Sequence, residues 1–151
     1  MALGPTTYKT PNIINQISED LTGKEGCGVF LPAANTVSIA TIKGNIPYGV
    51  VVTGTDSLTP GTYPSAIGDA SLELVDQLGC VVQVRIGSNG PVYAGSYLAI
   101  DEYDADGSFI MVNPNSELVE NWVWGIALTD ADSGEQCLMR FQPYIIQYIA
   151  P

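Results

Sequence analysis

The chain has 151 residues, of which 46% are apolar and only 14% charged, with 16 Gly and 10 Pro. That composition excludes long helices rich in Glu, Lys and Ala, and it suits one compact unit with a real core or two very small units packed together. Sixteen acidic against five basic residues give a net charge of −11, so Lys9, Lys24, Lys43, Arg85 and Arg140 cannot build the positive patch that nucleic acid or an anionic membrane surface requires.

In chain order, residues 1–26 carry Pro, Thr and Asn, with Tyr8, Ile13, Ile14 and Ile17 among their few large apolar residues. Nothing extends the Ile spacing, and Pro11 suits a position at or before a first helical turn, so this stretch reads as an extended arm with at most one short turn of helix. From Gly28 the texture changes to apolar runs, mostly of four to eight residues, such as "TVSIATI", "YGVVVTG", "CVVQVRI" and "WVWGIALT". Val, Ile, Tyr, Phe and Thr at these lengths predict strands. Ser71–Gly79 has helix-like spacing at Leu72, Leu74, Val75 and Leu78, yet Leu72 and Leu74 also satisfy a period of two, and the strand reading is preferred.

Two landmarks recur. Gly28-Val29-Phe30-Leu31 and Gly95-Ser96-Tyr97-Leu98 share Gly-x-aromatic-Leu. Downstream of each lies an aromatic-Gly run, Tyr48-Gly49-Val50-Val51-Val52-Thr53 and Trp124-Gly125-Ile126-Ala127-Leu128-Thr129. A Gly beside an aromatic lets a strand bend or bulge while the ring covers the bare backbone. The predicted fold is therefore all-β: a small barrel or sandwich of short antiparallel strands, with an arm at 1–26 and a β domain at 27–151. That domain divides into two related units, 27–80 and 81–151.

The acidic stretch Ala99–Phe109, "AIDEYDADGSF", matches a calcium loop at Asp104, Asp106 and Gly107 when counted from Glu102, but Asn113 stands where the closing bidentate Glu belongs. Asp-Gly between apolar runs instead predicts a hairpin turn with solvated acids. "TDADSGE", Thr129–Glu135, reads as a second turn of the same kind. The chain has no His, which removes the common triads and most zinc sites, and "TGKEG" lacks the phosphate-loop arrangement. The expectation is a protein without catalytic, metal or cofactor residues. Cys27, Cys80 and Cys137 are odd in number and far apart, and read as buried thiols of a reduced, cytosolically made product.

The C-terminal segment Phe141–Pro151 concentrates Tyr144, Ile145, Ile146, Tyr148 and Ile149. Burying each fully is worth about 1.5–3 kcal/mol, so they are expected to pack on the chain's own core or on a neighbouring subunit. Together with Tyr8, Ile13, Ile14 and Ile17 they form the predicted interface.

"DLTGKEGCGVFL", "SIATIKGNIPYGVVV", "GPVYAGSYLAIDEYDADGSFIMV" and "VWGIALTDADSGEQCLMRF", in that order, resemble the capsid decoration (cement) proteins of tailed bacteriophages. The matching elements are Ala94-Gly95, Asp106-Gly107, Gly125-Ile126-Ala127-Leu128 and Gly134-Glu135, with Ser96 departing where an acid is usual. The resemblance implies a structural virion protein on the outer capsid surface that binds the major capsid protein and itself, with homotrimers favoured. A different reading is a carbohydrate- or peptide-binding β module of a tail fibre or adhesin, using Trp122, Trp124 and Tyr103. Trp124, beside Gly125 in a strand, is expected in the core rather than on such a platform.

Overall fold

The computed structural model describes residues 10–12, 16–17, 21, 23–33, 36–51, 72–116 and 121–146. Among them there is no helix. Eleven short strands occur: β1 (Thr10–Asn12), β2 (Gln16–Ile17), β3 (Gly28–Ala33), β4 (Thr36–Ile39), β5 (Gly49–Val51) and β6 (Leu72–Val75) in a first sheet, and β7 (Val81–Arg85), β8 (Tyr97–Ile100), β9 (Phe109–Val112), β10 (Trp122–Ala127) and β11 (Gln136–Ile145) in a second. The all-β expectation holds, and Leu72–Val75 is a strand.

Apart from β2, the two sheets have the same strand order. The first runs β1-β6-β5-β3-β4-β2 and the second β7-β11-β10-β8-β9. In each, a hairpin (β3–β4, β8–β9) is followed by a strand beside its first member (β5, β10), then by one outside that (β6, β11), and a strand earlier in the chain than the hairpin (β1, β7) pairs with the last. The closing contact also repeats. β2 pairs in parallel with β4 at Gln16↔Thr36 and Ile17↔Val37, and Ile86, which continues β7, makes a parallel bridge to Phe109 of β9.

These closures curl the sheets. Asn12 and Gln16 lie on opposite edges of the first sheet, yet four residues span at most about 14 Å of extended chain. In a flat six-stranded sheet those edges would stand about 24 Å apart. The first sheet must therefore wrap towards a barrel, which also protects its edges. The described parts of the 1–26 stretch are built into this barrel: β1 and β2 form its edges, and Leu21 is buried inside it.

Period-two alternation then sorts the side chains. Val29, Val37, Ile39, Val51 and Leu74 fill the first barrel with Leu21 and Cys27. Their neighbours Val50 and Val75 face the other way, into a larger core with Val82, Val84, Leu98, Ile100, Phe109, Trp124, Met139 and Phe141. A third cluster, Ala99, Val112, Val123 and Ile146, uses residues that alternate with that core and so occupies the opposite face of the second sheet.

The aromatic-Gly landmarks have a common physical cause. A Cβ on Gly49 would come within 3.1 Å of the Val75 carbonyl oxygen of β6, and one on Gly125 would collide with the Arg140 carbonyl oxygen of β11. Both glycines let the third strand of their unit press against the fourth. Around Gly125 the ladder also slips: Val123 pairs with Tyr144 but Gly125 with Phe141, two residues on β10 against three on β11. Pro143, which cannot donate to a ladder, falls within this irregularity.

The units meet where the landmarks of one touch those of the other. Gly28 has no side chain, and a Cβ there would lie 2.8 Å from the Trp124 ring and 2.9 Å from Ile100. The Gly28 N–H donates to the Gly107 carbonyl at 2.8 Å, and the Arg85 N–H donates to the Gly26 carbonyl at 2.9 Å. The Arg85 guanidinium also donates to the Gly23 carbonyl at 2.5 Å.

All three cysteines are free and buried. Burial holds the Cys27 and Cys137 thiols at about 11 against an ordinary value of 9.0. A raised folded value means the thiol's contribution to stability is complete below about pH 9 and is lost as pH climbs towards 11. The urea midpoint should fall across that window, and Cys137→Ala should make the fall shallower; an unchanged slope would rule out the thiol as its source.

Candidate interaction surface

β8 and β9 form the predicted antiparallel hairpin, but residues 101–108 connect them, a longer link than a two-residue Asp-Gly turn. The expectation of solvated acids needs correction at Asp101, which is fully buried. Its carboxylate accepts two hydrogen bonds from the Asn89 amide, at 2.9 and 3.1 Å, and one from the Tyr103 N–H at 3.2 Å. Asp104 accepts from the Ser88 N–H and hydroxyl, and these bonds hold its carboxyl below the ordinary carboxylate range. Asp106 accepts from Ser108. Three acids are thus spent on the protein's own donors: Asp101 and Asp104 clamp Ser88 and Asn89 to the hairpin link, and Asp106 braces the link internally. Among the described residues no group of three or more Cys, Asp or Glu could hold a metal ion. Non-local donors such as Asn89 are invisible to local pattern, which is why the burial of Asp101 could not be read from the sequence.

The predicted interface residues are dispersed. Tyr8, Ile13, Ile14, Tyr148 and Ile149 lie outside the described residues, and Ile17 pairs through its backbone with Val37 as part of β2. Ile146 is buried in the chain's own third cluster, with its N–H donating to the Asn121 carbonyl at 2.8 Å, and offers no surface in the isolated molecule. Ile145 is half-buried. Tyr144 is 40% exposed. Trp124 is in the core, as expected, Trp122 is half-buried, and Tyr103 is exposed.

Tyr144 belongs to a cleft of about 710 Å³ that sequence reading did not identify. Tyr97 of β8 and Tyr144 of β11 approach across β10, ring centroids 6.2 Å apart and planes at 87°. Val112 and Ile146 are the buried lining residues; Met111, Pro114, Ser96, Asn113 and Asn115 complete the wall. Burial first, and then Tyr97, raises the Tyr144 phenol above its ordinary value and keeps it protonated. The Asn113 side-chain oxygen accepts from the Asn115 N–H at 3.1 Å, and the Ser116 hydroxyl donates to the Asn113 carbonyl at 3.2 Å, so the rim turn is already ordered. Tyr97 and Tyr144 are brought together only by the β10–β11 slip and the strand order, so no sequence spacing signals the pair.

A second exposed apolar feature is the β4–β5 connection. Ile42 is 51% and Ile46 65% exposed, although Asn45 organises the loop by accepting from the Thr41 and Ile42 N–H groups at 2.9 and 3.2 Å. The middle of the loop is anchored to the second unit, where the Trp122 N–H donates to the Lys43 carbonyl at 2.9 Å. The signal in "TIKGNIPYG" was available: Ile flanked by Gly, Asn and Pro places apolar residues on a turn. Compared with known proteins, the chain matches no family model and no curated sequence.

Proposed function

We propose that this chain is a structural virion protein of the capsid decoration type, binding the outer face of a phage head and bridging major capsid proteins. The observation that carries the reading is the ordered, anchored loop presenting Ile42 and Ile46 to solvent. Such a loop is suited to sit in an apolar depression of a partner, and repetition over a lattice turns weak contacts into firm attachment. The sequence resemblance to cement proteins supports the same reading, as does the charge of −11, which favours solubility and opposes contact with packaged DNA.

Mixing the purified protein with undecorated capsids should give saturable binding and a higher disruption temperature. A double substitution Ile42→Asp and Ile46→Asp should weaken that binding at least about tenfold, the equivalent of about 1.4 kcal/mol, while leaving the thermal midpoint of the free protein nearly unchanged because both side chains are exposed. Absence of binding at micromolar protein overturns the reading. Binding indifferent to the double substitution removes the loop as its carrier.

A further inference from the structure

We propose that the Tyr97–Tyr144 cleft is a binding site for a neutral oligosaccharide, a site independent of the capsid-binding reading. Its chemistry is divided in the way a sugar's is. Two phenol rings at a right angle, with Met111 and Pro114, offer apolar surface, and Ser96, Asn113 and Asn115 add hydroxyl and amide groups around it. A pyranose ring has the complementary division, with C–H groups on its faces and hydroxyls around its edge. Among the described residues the cleft walls contain no Asp, Glu, Lys or Arg, although the chain as a whole carries −11. An anionic ligand therefore meets an opposing field and no cationic partner among these residues, and a cationic ligand finds no carboxylate among them to pair with. A purely apolar ligand would cover the rim amides without pairing them, at a cost of about 1–3 kcal/mol for each group left unsatisfied.

Size agrees with the chemistry. Small-ligand sites commonly enclose about 300–1,000 Å³, and a cleft in this range accommodates on the order of two to three sugar rings. The rim is held by the Asn115-to-Asn113 and Ser116-to-Asn113 hydrogen bonds before any ligand arrives, which lowers the ordering cost of binding. Tyr144 keeps its proton, so its hydroxyl is available as a donor as well as an acceptor.

The test titrates the isotope-labelled full chain with cellotetraose, maltotetraose, chitotetraose and mannotetraose in turn, each to about 10 mM, following backbone amide resonances. At least one probe should give saturable shifts confined to Ser96–Tyr97, Met111–Asn115 and Tyr144–Ile146. Asn115→Ala, at an exposed position, and Tyr144→Ala should each weaken that binding about tenfold or more, with the remaining spectrum certifying the fold. No saturable shift with all four probes overturns the proposal. So do shifts centred elsewhere, binding unaffected by both substitutions, or a response to a proline-rich peptide with none to the saccharides.

Discussion

Replacing Gly107 by Ala lowers the thermal midpoint at least twice as far as the same replacement at Gly134. The two glycines share a left-handed backbone, φ +83° and φ +80°, so the conformational penalty of a Cβ, about 1–2 kcal/mol, is common to both. Their surroundings differ. A Cβ on Gly134 meets nothing within 4 Å, whereas one on Gly107 would lie 2.8 Å from the Cys27 Cβ, 3.0 Å from Ile39 and 3.2 Å from the Gly28 carbonyl oxygen. Overpacking of that kind costs about 1–3 kcal/mol more. For a chain of this size each kcal/mol moves the midpoint by about 2–4 °C, so scanning calorimetry resolves the pair easily. Equal shifts would mean that the seam between the units yields to an extra methyl group, and that Gly107 serves only the turn.

The second large effect is expected at Trp124. Its ring packs edge-on against Phe109 and Phe141, with centroids at 5.5 and 6.4 Å, and against the bare backbone of Gly28 from the other unit. Truncation to Ala leaves a cavity at the junction and should cost about 3–5 kcal/mol in urea unfolding. Trp124→Phe is the informative companion. The buried indole Nε1 has no hydrogen-bond partner among the described residues, and an unsatisfied donor costs about 1–3 kcal/mol. Removing it offsets part of the lost ring volume, so Phe should be tolerated within about 1.5 kcal/mol. Should Phe cost as much as Ala, the indole N–H would have to be satisfied, and the ring's shape alone would not account for its place.

These two positions also mark how far local pattern reached. The Gly-x-aromatic-Leu and aromatic-Gly landmarks were visible as letters, and the strands carrying them share one strand order in both sheets. What the letters could not convey is that Gly28 of the first landmark receives Trp124 of the second unit. The acidic stretch was legible as a hairpin connection because Asp106-Gly107 tolerates a left-handed turn. Its role as a seam, with Asp101 buried against Asn89 and Gly107 pressed on Cys27, depends on residues that are neighbours only in space. The cleft escaped for the same reason, since Tyr97 and Tyr144 belong to strands separated by β10.

By itself the sequence determined the class of architecture, because alternation, β-branched runs and turn residues are local properties that each strand carries within its own few positions. It determined as well that the thiols are buried and that the surface is strongly acidic, because both follow from composition and immediate neighbours. Only the tertiary structure decided which apolar residues remain in water, which carboxylates are consumed internally and which aromatic rings face one another. Those outcomes follow from strand order, barrel closure and a one-residue slip between β10 and β11, and a slip of one residue exchanges the faces of a strand without altering a letter of its pattern.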